Sequence, residues 1–191
     1  ATEMRPYNPL AHTLGDENYV TKKPEGRFAD TPRAWAAFRK FLRGMYPDLK
    51  ALNAQWETEF AAWDKIRFDN EGQMLADMDN PSAWVDYRMF VTHHFVDGHR
   101  RMRRALREGD PGVSVGWDGA SQFSSYNGQD WWELCRDMEL VQTYQTGFVP
   151  DGKYPHWMFN GEAMDSFGRN ASLRGLWMNK ADFDFGGKYI P

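Results

Sequence analysis

Two acidic side chains stand together at Asp16-Glu17, followed by Asn18, one residue after a short apolar run that ends at Leu14. Similar changes from apolar to polar follow at Trp117 and Asp118, at Tyr144 and Gln145, and at Trp177, Asn179, Asp182 and Asp184. Carboxyl groups placed on either side of an acetal C–O bond can cleave it. One donates a proton to the leaving oxygen and the other attacks or activates water, with separations of about 5 Å for retention and roughly 6.5–9.5 Å for inversion. The donor must hold its proton near neutral pH, and Asp16 gives Glu17 a like-charged neighbour that favours this. Tryptophan and tyrosine offer flat apolar faces with a polar handle, which suits a sugar ring whose C–H bonds lie beside hydroxyls. The same residue types also occur as a solvated acidic pair and as core aromatics, so position in the fold has to decide.

Those positions must be supplied by strands and helices. Residues 9–14 read as a strand opening into Gly15-Asp16-Glu17-Asn18. Thr31-Pro32 is a cap residue followed by proline, after which Trp35, Phe38, Leu42 and Met45 recur at helical spacing until Pro47. Leu49, Leu52 and Trp56 mark a second, shorter helix. Asn80-Pro81 repeats the start signal, and Trp84, Tyr87, Val91, Phe95, Met102 and Leu106 trace one face of a long helix ending at Gly109-Asp110-Pro111. Val113, Val115 and Trp117 then alternate as a strand. A helix over 131–138, a strand over 140–144, a helix over 162–167 and a strand over 173–178 complete the order. Strand and helix in alternation predict parallel strands joined by right-handed crossovers, with the site built by the loops that follow the strands.

Bulk properties narrow the classes. A chain of 191 residues predicts one domain, 1–191, while a complete eight-fold barrel needs about 250. With a net charge of −4 and a single basic cluster at Arg100, Arg101, Arg103 and Arg104, no nucleic-acid partner is expected. The cluster lies in the last turns of the long helix, where basic groups complement the helix dipole. No apolar run approaches the roughly 20 residues that cross a bilayer, so a soluble chain with no membrane partner is expected; the compartment stays open. Cys135 is the only cysteine, which precludes an intrachain disulfide, and with no evident histidine base it is not expected to act as a nucleophile. His94 and His99 miss the i, i+4 spacing of a helical metal pair, His93 adds no third ligand in register, and Gly186-Gly187 is too little for a phosphate loop. No cofactor and no metal are expected.

The run His12-Thr13-Leu14-Gly15-Asp16-Glu17-Asn18 is similar to the fourth-strand segment of family 42 glycoside hydrolases, the β-galactosidase-like members of a large retaining barrel clan. Residues 38–56, with Leu52-Asn53 and Trp56, resemble the family's helix leading to Leu-Asn and a tryptophan. Residues 80–107 resemble its long helix after Asn-Pro, 113–117 its fifth strand, and 139–144 its sixth strand with a tyrosine. The resemblance implies an α/β fold, a partial (β/α)8 barrel of TIM type comprising about strands four to seven. It also implies that Glu17 is the acid/base and that Tyr144 helps position the nucleophile. Two departures stand out: Asp16 occupies the place of the clan's asparagine, and 173–185, where a nucleophilic glutamate belongs, holds none. Asp182 or Asp184 offers a shorter reach there, and Glu162, the one glutamate among these later loops, ranks ahead of both.

The expected function is retaining hydrolysis of a β-linked glycoside, such as a galactoside. Trp117, Trp157 and Trp177 serve as sugar platforms in this reading, and Asp16, Asn18, Asp118, Tyr144 and Asp182 contact the substrate. A half-barrel exposes two strand edges, so self-association into a barrel-like dimer, or a complementing segment, is expected. The alternatives are a carbohydrate-binding domain that has lost its nucleophile and a structural fragment of a larger enzyme.

Overall fold

The structure, a computed structural model, describes residues 1–15, 18, 31–68, 79–117, 129–145, 162–163, 165–169, 171, 173–178, 184–185 and 188–189; for 142–145 and from 173 onward it describes the backbone alone. The chain divides into two compact units, one of Ala1–Asn18, Val96–Ser124 and Gln129–Pro191, the other of Tyr19–Phe95 and Ser125–Gly128.

The second unit is helical. Helix α1 spans Pro32–Met45 and starts where the sequence signals it: Pro32 supplies a preset φ, and Thr31 accepts a hydrogen bond from the amide of Ala34 at 3.2 Å. Helix α2, Leu49–Trp56, is capped in the same way by Asp48, which accepts from Ala51 at 2.7 Å. Helix α3, Ser82–Gly109, contributes its first half here. Their apolar stripes meet in one core of Phe38, Leu42, Leu52, Trp56, Ile66, Tyr87, Phe90 and Val91. Rings dominate it, with Phe38 edge-on to Tyr87 at 5.3 Å and stacked on Trp56 at 6.3 Å.

At the margin of this core Asp86 is 6% exposed and accepts from the Tyr46 hydroxyl at 2.5 Å and the Trp56 indole at 2.8 Å. A carboxylate so covered is tolerable because donors replace its water. Burial first, then the hydrogen bond to Asp86, pushes the Tyr46 hydroxyl up to about 12, so it keeps its proton and stays a donor. The Leu52-Asn53 and Trp56 motif has a structural account. Leu52 and Trp56 fill the core, while Asn53 donates to the Phe60 carbonyl at 2.9 Å and accepts from the Phe60 amide and the Thr58 hydroxyl at 3.0 Å each.

The first unit holds a four-stranded sheet of β1 (Ala11–Thr13), β2 (Ser114–Trp117), β3 (Leu140–Gln145) and β4 (Leu173–Met178), in that order and parallel throughout. Strands β1, β2 and β4 lie within the segments that alternation and apolar runs predict, and β3 runs one residue past its segment, to Gln145. A second sheet of two antiparallel strands, β5 (Asp184–Phe185) and β6 (Lys188–Tyr189), is too short to show such a pattern. Gly116 pairs with Leu140, and a Cβ at Gly116 would lie 1.8 Å from the Leu140 carbonyl oxygen. Only a residue without a side chain lets these two backbones approach this closely.

Helix α4, Trp131–Asp137, covers the strands. Asp130 caps it through the Glu133 amide at 3.0 Å. Trp131 stacks on Trp117 with centroids 5.0 Å apart, and His99 of α3 packs on Trp117 at 5.4 Å. The α3 arginines meet acids here: Arg100 bonds Asp137 and Glu133, and Arg103 and Arg107 both bond Glu139. Glu139, just before β3, also accepts from the Val115 amide of β2 at 3.1 Å. Burial pushes its carboxyl up, but the bonds from Arg103 and Val115 and the charges of Arg103 and Arg107 outweigh this and hold it below its ordinary value of 4.5.

A depressed carboxyl stabilises the fold above its unfolded value and loses that contribution as pH falls through its folded value. Thermal melts of wild type and Glu139→Gln should therefore differ at pH 7 and converge as the buffer is taken below 4.5. Gly116→Ala should lower stability by about 3 kcal/mol or more in chemical denaturation, since the clash is with backbone that cannot turn aside.

Candidate active site

Because the strands are parallel, Thr13, Trp117, Gln145 and Met178 all end at one edge of the sheet. The carboxyl-terminal edge is where parallel β/α folds place their chemistry. The acidic pair at 16 and 17 follows β1, Asp118 follows β2, and Asp182 follows β4. The ladder between β1 and β2 runs one residue past β1, with the Leu14 amide donating to the Gly116 carbonyl at 2.7 Å. Gly15 then takes φ +125°, a region that favours glycine, and a Cβ there would lie 2.6 Å from the side-chain nitrogen of Asn18.

Asn18 is half-buried and fixed twice. Its side-chain amide donates to the Leu14 carbonyl at 3.0 Å, and its own carbonyl accepts from Gln129 at 2.9 Å. Leu14 and Asn18 are thus joined to each other, and Asn18 is tied to the residue that precedes the cap of α4. Sequence reading singled out neither Gly15 nor Gln129. Gln129 has no motif around it, and only the fold brings it to Asn18.

The expected site residues are distributed unevenly. Asp16, Glu17, Asp118, Trp157 and Asp182 lie outside the described residues, as do the side chains of Tyr144, Trp177 and Asp184. The backbones of Tyr144 and Trp177 pair with each other in adjacent strands, and that of Asp184 begins β5. Glu162 is exposed on a helical turn. Trp117 departs from the expectation of a sugar platform. Its ring is 1% exposed between His99 and Trp131, turned toward the helices, and a covered ring offers no face to a ligand.

The remaining candidates are engaged in packing or pairing. His93 and His94 lie against Phe41 and Phe90, each at 5.6 Å, and His99 is 4% exposed. Among the described residues no three ligating side chains gather as a metal site. Cys135 is fully buried and its thiol is pushed up to about 12, by burial first and then by Asp130, which leaves no thiolate at neutral pH. No helix among the described residues is long and apolar enough to cross a membrane.

The family model for glycoside hydrolase family 42, described as Beta-galactosidase, matches residues 17–176. The chain belongs to glycoside hydrolase family 42. It is 30% identical over 138 residues to Beta-galactosidase Pbg of Clostridium perfringens, an alignment covering 70% of this chain and 18% of that protein. Beta-galactosidase bgaB of Geobacillus kaustophilus is 29% identical over 100 residues, covering 50% of this chain and 14% of that one. This family 42 chain therefore spans less than a fifth of the length of these relatives. Among solved structures, the family 42 exo-carrageenase of Bacteroides ovatus superposes with a TM-score of 0.60 at 19% identity, over 80% of this chain and 22% of that one. The β-galactosidase of Marinomonas ef1 gives 0.59 at 18% identity, over 78% and 24%. These structural likenesses show a shared α/β fold.

Gly15→Ala should cost about 1–3 kcal/mol through its positive φ alone, and the contact with Asn18 adds to it. Denaturant titration of the variant should show the loss, and Gly44→Ala, where a Cβ meets nothing within 4 Å, should not.

Proposed function

We propose that this chain contributes strands four to seven of a (β/α)8 barrel in a retaining glycosidase that acts on a β-linked galactoside or a close relative. The observation that carries the reading is the family match over 17–176 together with a parallel sheet whose first strand, Ala11–Thr13, ends shortly before Asp16-Glu17 in the sequence. The β-galactosidase names of two sequence relatives support the substrate class.

In this mechanism Glu17 protonates the leaving oxygen while a second carboxylate attacks the anomeric carbon, and Glu17 then activates the water that releases the sugar. The nucleophile comes from the later loops, with Glu162 ranked ahead of Asp184. Tyr144 positions it, Trp157 and Trp177 stack on sugar rings, and Asp16, Asn18, Asp118 and Asp182 take hydroxyl groups. The rest of the barrel comes from a further segment of the enzyme. In its support, β1 and β4 each pair with one neighbour among the described residues, and a cleft of about 670 Å³ lined by Thr13, Leu14, Met102 and Leu106 borders β1.

On a chromogenic β-galactoside, Glu17→Gln in the intact protein should lower kcat by ~10²–10⁴, the usual contribution of a positioned acid/base. Sugar binding without turnover in wild type would instead mark a binding module. A 2-deoxy-2-fluoro galactoside with a good leaving group should trap the covalent intermediate, and peptide mass analysis should find the label on Glu162 or Asp184. A label elsewhere would refute both assignments.

A further inference from the structure

Gln129 is 4% exposed, although it belongs to a loop and carries a polar amide. Its side-chain nitrogen donates to the Asn18 carbonyl, and its side-chain oxygen is buried with no hydrogen-bond partner among the described residues. A carbonyl can only accept, so the nitrogen must face Asn18; turning the amide over would set two oxygens against each other. A half-satisfied buried amide is costly, by about 1–3 kcal/mol for an unmet polar group. An apolar side chain would avoid that cost, so the bond that is kept points to a use.

The platform behind Gln129 is rigid. Asp130 caps α4, and Trp131 stacks on Trp117, the last residue of β2. On the other side, Asn18 is tied to Leu14, and Leu14 to Gly116 of β2. The residue that directly follows Glu17 is therefore held by its side chain to one strand end and by its carbonyl to the start of a helix. Positioned catalytic groups need such support, since a displacement of about 1 Å can cost ~10² in rate.

We propose that Gln129, acting through Asn18, is a positioning residue that fixes the direction of the Glu17 carboxyl. The proposal rests on the acid/base role given to Glu17 above.

Proton donation matters most when the leaving oxygen is basic, so the test compares two β-galactosides in the intact protein, one with a dinitrophenyl and one with an alkyl leaving group. Gln129→Leu should lower kcat/KM at least ~10-fold on the alkyl substrate and no more than ~3-fold on the activated one. A purely structural role would lower both equally, and equal losses, or no loss, would overturn the proposal. Gln129→Glu, which keeps the length but sets a carboxylate against the Asn18 carbonyl, should give the same split and serves if the leucine variant does not fold. Glu17→Gln is measured alongside and should show a wider split. If it shows none, the acid/base reading fails and the proposal falls with it, a result distinct from a split seen at Glu17 and missing at Gln129.

Discussion

The strands β2 and β3 approach each other at Gly116 and Leu140 more closely than any side chain would permit. Much of the first unit follows from that contact. It fixes the register in which Trp117 lies opposite Val141, and with it the direction in which the Trp117 ring leaves the sheet. That ring is the surface on which Trp131 and His99 pack, so the close backbone approach also sets where α4 and the second half of α3 rest on the strands. Parallel sheets are covered on their faces by the crossover helices, which leaves the strand ends as the places for polar groups.

The two ends of this sheet use their polar groups differently. At the amino-terminal end, Glu139 joins the β2 backbone to Arg103 and Arg107 of α3, with Arg100 paired nearby to acids of α4. These bonds connect strand, helix and loop, and belong to the stability of the unit. At the carboxyl-terminal end, neutral hydrogen bonds join Leu14, Asn18 and Gln129. Under the proposed acid/base role of Glu17, neutral amides suit that end of the sheet, because a guanidinium there would favour an ionised donor and oppose proton donation.

In the helical unit the polar element lies against the core. Asp86 joins α3 to Trp56 of α2 and to Tyr46, which ends α1, so one carboxylate records the packing of three helices. Aromatic rings supply most of the buried surface around it. The nine tryptophans that suggest sugar binding are thus partly accounted for by packing: Trp56, Trp117 and Trp131 are all covered.

The order of elements was legible in the residues themselves. Thr31-Pro32 starts a helix because the threonine oxygen can satisfy a free amide there, and the alternation of Val113, Val115 and Trp117 marks a strand whose apolar side chains are buried. The family likeness was legible too, since its short motifs lie within contiguous segments. What the chain could not disclose locally was which surface each ring or amide would meet. Trp117 read equally well as sugar platform or core, the arginine run as anion site or dipole complement, and Gln129 as nothing at all. Those questions turn on partners far along the chain, 111 residues apart for Gln129 and Asn18, and only the packing of strands against helices brings such residues together.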